Sequence, residues 1–509
     1  MHEMRSILIR KKTGIFFIVV FLLGILLRIY KLSAKDFWFD EAGKLLVENN
    51  LYICFEMLRP LFNIFLYLWL KIVPHNEFAI RVLPFIFGIA SLPIIYLYGK
   101  EMFNREIALF CTFLLSVSPL HVWYSQELKA YTLTTFLTIA VAYYFYRFVK
   151  EEKFHLMIVL SFIMILLVYT TYLSFAILVI EALFLIIVKR GKLLKKWSIH
   201  PLIVFACFSP RLLHLLWRMR IVKESFWISE PTLESVWATF ANFNLGYTGS
   251  NFLFQFSLYL TLPFLIFALF KVKREKEIQL NFLLLFVPLV SALIYSFLST
   301  PIFITRQFVQ FTPFYYLLIS RGLYQIRWRM VRFLYIIALL IPTSFSLFYL
   351  YSNLMPSSYT YHIGIYPKKS FRKVVEYISK NSHSWDIIAH SNPSTTLPLQ
   401  YYSKEKGLAH YYFILPSYHD PFWRRNIMEI GVPGFAQCID LSTKVNLNHL
   451  EDDVKRVWLV SSSWARNWEL GEHSQRVKEW MDTHAQRILE QWMEGILLTL
   501  YELEKKEES

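Results

Sequence analysis

The sequence is poor in charge and cysteine, and it lacks every short motif that holds a nucleotide or a zinc ion. Asp, Glu, Lys and Arg make up 18% of the 509 residues, against about 25% in an average soluble domain. Hydrophobic residues make up 56%, and the mean hydropathy is +0.40. That deficit argues against a soluble globular enzyme, a disordered chain and a nucleic-acid-binding protein. The four cysteines, Cys54, Cys111, Cys207 and Cys438, form no CxxC pair, so neither a disulfide framework nor a zinc site is readable and the redox compartment stays open. No P-loop and no GxGxxG fingerprint occurs, which sets aside ATP-driven chemistry, a nucleotide cofactor and a soluble nucleotide-sugar site. If the chain is an enzyme, its activated substrate arrives from within the membrane. No Asn-x-Ser/Thr sequon with a permitted middle residue is present, which favours a prokaryotic plasma membrane over the endoplasmic reticulum. Repeats and low-complexity tracts are absent as well.

What is present is a series of apolar stretches near the length of a bilayer crossing, about 20 residues. They run over residues 14–32, 77–98, 106–123, 128–148, 154–171, 172–188, 199–217, 252–270, 279–299, 308–323 and 331–351, about eleven in all. The segment Pro60 to Val73 is shorter and reads as re-entrant or interfacial. Lys and Arg resist translocation. Arg5, Arg10, Lys11 and Lys12 therefore place the amino terminus in the cytoplasm, and the basic connections at 99–105, 147–153, 189–196, 271–276 and 321–332 fall on the same side. About 22 basic residues lie in these places. The region after Tyr351 holds 18 Lys/Arg and 19 Asp/Glu, so the net charge of +16 is a topology signal rather than a polyanion-binding surface.

The same topology puts a first loop at 33–76, a loop at 218–250 and everything after residue 352 on the outer side. Residues 1–352 form the expected transmembrane domain, and 353–509 an expected soluble extracytoplasmic domain. In the latter, WDIIAH, HYYFIL, RVWLVSS and GILLTLYEL read as short strands. Residues 368–381 and 471–490 read as amphipathic helices, and EKKEES as a frayed tail. Strands alternating with helices predict a small α/β domain.

Three polar constellations fall on the outer side. The first is Lys35-Asp-Phe-Trp-Phe-Asp40-Glu41-Ala, two adjacent carboxylates beside aromatics that suit a general base or a divalent cation, or else solvated loop acids in an interfacial belt. The second is Ser118-Pro-Leu-His121-Val-Trp-Tyr-Ser-Gln126-Glu127-Leu-Lys129-Ala-Tyr131, where one helix ends and another begins. A charge at that depth faces a cavity or a partner, although Glu127 also suits a first helical turn and Lys129 a snorkelling flank. The third is Thr305-Arg306-Gln307, whose arginine suits a phosphate or an interfacial anchor. Glu181, Arg211 and His214 are costly intramembrane groups, and Trp227 and Trp237 flank a surface stretch; none is assigned a role.

The order of these elements is similar to that in membrane glycosyltransferases with the GT-C fold, the group of protein O-mannosyltransferases, aminoarabinose transferases and Rgt-type lipopolysaccharide glycosyltransferases. The resemblance spans roughly Asp36 to Gly322. It rests on FWFDEA, PLFNIFLYLWLKIVPHNEFAIRVLPFIFG, SPLHVWYSQELKAYTL and TRQFVQFTPFYYLLISRGL. It implies a GT-C-type helical membrane protein that transfers a sugar from a polyprenyl-phosphate donor to a glycan, lipid or protein acceptor on the non-cytoplasmic face. It further implies Asp40, with Glu41 beside it, as the catalytic acids of the first loop, Arg306 and Lys129 as donor-phosphate ligands, and Gln126 and Tyr131 as substrate contacts. Glu127 and His121 would hold a divalent metal cation, Mg, Mn or Zn, if one is used. Lys129 stands where the family often has Arg, Gln307 where it often has Tyr, and Leu58-Arg59-Pro60 where it often has His-Pro-Pro, departures that leave the sugar open. The rival readings are a transporter or flippase, which predicts inverted repeats or Gly/Pro-broken helix pairs, and a non-catalytic membrane assembly factor.

Overall fold

The computed structural model describes residues 2–46, 51, 59–224, 228–404, 406–414, 436–441, 454–462 and 470–503. Leu58, Trp227 and the EKKEES tail lie outside the described residues. The chain divides into two units, one formed by Met1–Leu32 with Phe55–Ile365 and the other by Ser33–Cys54 with Tyr366–Ser509. The boundary falls 13 residues later than the sequence suggests, and the segment bearing Asp40 and Glu41 groups with the carboxy-terminal unit.

The first unit is helical. Among the described residues, Glu77–Met102, Gly191–Trp217, Asn251–Lys271, Lys276–Leu298 and Arg329–Tyr351 are long and apolar enough to cross a membrane. The pair Arg105–Val117 and Pro119–Ser125, bent by 59°, makes a sixth if it is counted as one span. The eleven expected spans thus reduce to five or six by this measure. Gly14–Ile29, Phe154–Val168 and Tyr172–Ile187 are apolar but shorter. The helix Tyr131–Glu151 is long, but it carries Thr132, Thr134, Thr135 and Thr138 on its buried surface, which lowers its hydropathy. Part of the span expected at 308–323 is a 3-10 turn, Thr305–Phe311, leaving a helix of 12 residues, Thr312–Leu323. Pro60–Val73 resolves as a helix over Pro60–Leu70. Large apolar side chains on the long helices point outward, with Leu213, Phe252, Phe270 and Leu298 all more than three-quarters exposed. Such surfaces are solvated by lipid, and the chain is a multi-pass membrane protein.

Side-chain caps fix where several helices begin, because the first backbone N–H groups of a helix have no partner inside it. Asn76 accepts from Ala79 N at 2.9 Å, Asn104 from Ile107 N at 2.9 Å and Ser118 from His121 N at 3.2 Å. At the bend after Val117, Pro119 takes the first helical position, where its missing N–H costs nothing.

The second unit is built on a six-stranded sheet in the order β3-β2-β1-β4-β6-β5. The strands are β1 Asp386–His390, β2 Ala409–Ile414, β3 Gln437–Asp440, β4 Arg456–Ser462, β5 Gln486–Met493 and β6 Ile496–Glu502. The first four in spatial order are parallel, and β6 and β5 add an antiparallel edge. Alternation sorts their side chains onto two faces. Ile388, Trp458 and Val460 pack with helices Phe371–Asn381 and Pro393–Ser403, while Ile387, Val457 and Leu459 pack with helix Glu472–His484. The domain is therefore α/β, helices on both faces, as its strand pattern predicts. The helix expected over 471–490 stops at His484, and the chain continues as β5. Asp386 is tied at the sheet's start by Arg456 (2.7 Å) and Trp458 Nε1 (3.0 Å), so a buried carboxylate is fully partnered.

Candidate functional site

The bend after Val117 is held by Arg28, a fully buried arginine from the first helix. Its guanidinium donates to the carbonyls of Gly24 (3.0 Å), Ser116 (2.8 Å) and Leu115 (2.9 Å), the last two in the last turn of Arg105–Val117. A fourth contact, 2.8 Å, reaches His121 Nδ1. Because a guanidinium can only donate, Nδ1 accepts and the imidazole proton resides on Nε2. That tautomer is the wrong one for a metal bond at Nε2, and a cation already occupies the other side of the ring. His121 therefore does not fit as a metal ligand, and its place is to lock the bend. Gln126 is likewise engaged in the scaffold, donating from Nε2 to Arg28 O at 2.9 Å and Tyr30 O at 2.7 Å, which caps the carboxyl end of the first helix. Among the described residues, no three His, Cys, Asp or Glu side chains come together as a metal site.

Beyond Gln126 the polar groups gather around aromatics. Trp123 Nε1 donates to Glu127 Oε2 at 2.6 Å, so the buried carboxylate is held in one orientation. The Tyr124 and Tyr247 hydroxyls are 2.7 Å apart, the Trp123 ring meets Tyr247 edge-on at 5.9 Å, and Tyr124 lies 4.3 Å from Tyr131. The Arg59 guanidinium sits over the Tyr131 ring at 4.4 Å. Burial pushes the Tyr247 phenol above its ordinary range, opposed by its hydrogen bond with Tyr124 and by Arg306 and reinforced by Glu127. Both Arg306 and Glu127 are thus within electrostatic reach of Tyr247. Arg306, half-buried, is carried on the 3-10 turn Thr305–Phe311, and that turn is pinned by Asn242 Nδ2 donating to Thr305 Oγ1 at 3.0 Å. A small cleft of mixed character is lined by Tyr247, Asn242, Thr239 and Thr305 together with Phe303 and Ile304. Gly246 makes this packing possible: its φ is +64°, and a Cβ there would stand 2.9 Å from Leu120 N.

Glu127, Tyr131 and Arg306 thus all lie within electrostatic reach of Tyr247. Lys129 is half-buried two residues past Glu127, its amide donating to the Glu127 carbonyl at 2.6 Å. Tyr247 and Arg59 belong to none of the three polar constellations of the sequence, and the Gly246-Tyr247 pair is the local mark of the former.

The acidic element lies in the other unit, on the short helix Phe39–Leu46. Glu41 is fully buried and pairs with Lys368, Oε2 to Nζ 3.0 Å, and the lysine also covers the Trp38 ring at 4.7 Å. Asp36 accepts from Arg372 Nε (2.6 Å) and from the Arg372 amide (2.8 Å), while the Phe37 amide donates to the Tyr402 hydroxyl at 2.8 Å. These contacts fasten the acidic helix to the sheet domain and commit the Glu41 carboxylate to Lys368. Asp40 is half-buried in the first turn of the same helix.

Residues 59–217 match the family described as Dolichyl-phosphate-mannose-protein mannosyltransferase. Among solved structures, the chain is similar to apo ArnT from Cupriavidus metallidurans, with a TM-score of 0.59 and 9% identity over 96% of this chain and 98% of that one. It is also similar to the apo oligosaccharyltransferase of Archaeoglobus fulgidus, with a TM-score of 0.50 and 11% identity over 88% of this chain and 69% of that one. No curated protein sequence matches the chain. Both structures have the GT-C fold.

Proposed function

Taking the chain as a multi-pass membrane protein with the GT-C fold, we propose that it is a glycosyltransferase using a polyprenyl-phosphate-linked sugar. The observation that carries this reading is the gathering of Arg59, Glu127, Tyr131, Tyr247 and Arg306, most of it inside the segment matched by the mannosyltransferase family. Guanidinium groups beside aromatic faces suit a phosphate followed by an apolar tail, because they supply several N–H donors in a partly desolvated site.

The reaction breaks the bond between the anomeric carbon and the phosphate oxygen and forms one to an acceptor hydroxyl oxygen. Polyprenyl phosphate departs with the bonding pair, and the hydroxyl proton passes to a base. Arg59, Lys129 and Arg306 neutralise the charge that grows on the departing phosphate. Asp40 is the group we assign to the proton, since an alcohol needs a base as attack proceeds. Glu41 holds the Asp40 helix through Lys368. Glu127, oriented by Trp123, contacts substrate together with Tyr131. The positive-inside pattern favours a cytoplasmic amino terminus and transfer on the far face of a plasma membrane.

The test is to incubate the purified chain, in nanodiscs, with a radiolabelled polyprenyl-phosphate hexose and a membrane extract as acceptor source. Label appearing in a new product, with release of unlabelled lipid phosphate, supports transfer. Label that crosses a proteoliposome bilayer chemically unchanged favours a flippase instead.

A further inference from the structure

In the carboxy-terminal unit, β1 and β4 are adjacent and parallel, yet the chain leaves them in opposite directions: from β1 through helix Pro393–Ser403 to β2, and from β4 toward helix Glu472–His484 and the antiparallel edge. Crevices outside the carboxyl ends of two such strands are where open α/β sheets bind ligands. The residues there are almost all hydroxyl- or amide-bearing and buried. Ser391 Oγ donates to Ser461 Oγ at 2.8 Å, Asn392 Nδ2 to Ser462 O at 3.1 Å and Ser474 Oγ to Ser391 O at 3.1 Å. Lys369 donates to Ser462 Oγ. Asn392 caps helix Pro393–Ser403, accepting from Ser394 N at 2.9 Å. Ser394, at the second position of that helix and only 7% exposed, has an Oγ with no hydrogen-bond partner, and the fully buried Thr396 Oγ1 is without one as well. A buried hydroxyl left unpaired costs about 1–3 kcal/mol, which a bound acceptor atom recovers.

The electrostatics select the sign of that ligand. A helix N-terminus favours an anion. Burial holds the Lys369 ammonium down to about 7, which disfavours its charge, and a bound anion would offset that desolvation by pairing with the ammonium. Carboxylates on the neighbouring segments are already committed, Glu41 to Lys368 and Glu494 to Lys373 and Ser370. Lys368 and Lys369 are consecutive, so one short segment ties the Asp40-Glu41 helix and the Ser462 edge to the same place in this unit.

We propose that this edge binds the phosphorylated sugar headgroup of the acceptor, the phosphate on Lys369, Ser394 and the helix start, the sugar hydroxyls on Ser391, just past β1, and on the serines of β4. This rests on the glycosyltransferase reading only for the word acceptor; the binding itself stands apart from turnover.

The experiment is isothermal titration of the full chain in detergent with glucose 6-phosphate, glucose and inorganic phosphate. Glucose 6-phosphate is expected to bind one to one, at least tenfold more tightly than glucose and severalfold more tightly than inorganic phosphate. Lys369→Met is expected to weaken it tenfold or more, Ser394→Ala severalfold, and Lys369→Arg to restore most of the affinity. Because Ser394→Ala only trims an unbonded hydroxyl, it keeps the test valid if Lys369→Met misfolds. Arg306→Gln is expected to leave this affinity unchanged, since Arg306 belongs to the donor cluster. Absence of binding, or equal loss in Arg306→Gln, overturns the site, and equal affinity for inorganic phosphate overturns its sugar half. Binding as predicted without any sugar transfer overturns the enzyme reading and leaves the site standing.

Discussion

Lys368→Met isolates what holds the acidic helix in place. Glu41 is 0% exposed and its carboxylate lies 3.0 Å from Lys368 Nζ. Removing the lysine leaves a buried carboxylate without its counter-ion, a change that costs about 3–5 kcal/mol. The Glu41 and Ala42 amides both donate to Trp38 O, at 2.9 Å each, and these bonds close the first turn of the helix. If local opening governs their exchange, 3–5 kcal/mol corresponds to a rise of about a hundredfold or more in amide exchange rate. Hydrogen–deuterium exchange of the peptide covering residues 37–46 in the purified full chain measures this directly. The double variant Glu41→Gln/Lys368→Met, which leaves no bare charge, should return exchange to within about tenfold of wild type. The contacts of Asp36 with Arg372 and of Phe37 with Tyr402 remain in every variant, so the unit stays folded and serves as an internal reference. Exchange in Lys368→Met that matches wild type, or a double variant as damaged as the single one, would refute the reasoning.

Three further outcomes follow from named contacts. Gly246→Ala places a Cβ 2.9 Å from Leu120 N at a φ of +64°, so both strain and clash oppose it; the expected loss is about 1–3 kcal/mol, read as a lower detergent melting temperature. Arg59→Gln and Arg306→Gln should each raise the KM for the lipid-phosphate donor tenfold or more, whereas substitution of Arg487, which pairs with Asp482 and Glu490 at the sheet edge, should not, as steady-state kinetics will show. His410 is held down to about 4 by burial, below an unfolded value of about 6.5, while His390, 3.0 Å away, is pushed down as well. The unfolded chain therefore binds more protons between those values, and stability present above pH 6.5 falls by roughly 3 kcal/mol from His410 as the pH drops to 4. Denaturation of the full chain followed across that range should show the decline, and His410→Asn should flatten it.

How far the sequence could be read depends on whether the deciding contact is local. Strands β1, β2, β4 and β6 are short apolar runs and are legible as such. β5 is not, because it forms a mostly exposed outer edge in which only Leu489 and Met493 pack against the core, and their spacing of four imitates a helix continuing from Glu472–His484. Helix Pro393–Ser403 is hidden by its two prolines and its Ser and Thr residues, which locally favour a loop; buried Leu397 and Leu399 hold it instead. At the candidate site, the Ser118-Pro119 break and the polar runs that carry Glu127 and Arg306 are written in adjacent residues. The engagement of Glu41 is not, since Lys368 lies 327 positions away. Nor is the role of Arg28, whose grip on His121 reverses the meaning of that histidine.

The central claim is that sugar leaves a lipid phosphate with Asp40 taking the acceptor proton. Its most direct test is single-turnover transfer from a radiolabelled polyprenyl-phosphate sugar, comparing wild type with Asp40→Asn at saturating donor. The amide keeps the shape of the side chain but cannot accept the proton, so the account predicts unchanged donor binding and a transfer rate reduced about a hundredfold or more. Transfer by Asp40→Asn at the wild-type rate would contradict it.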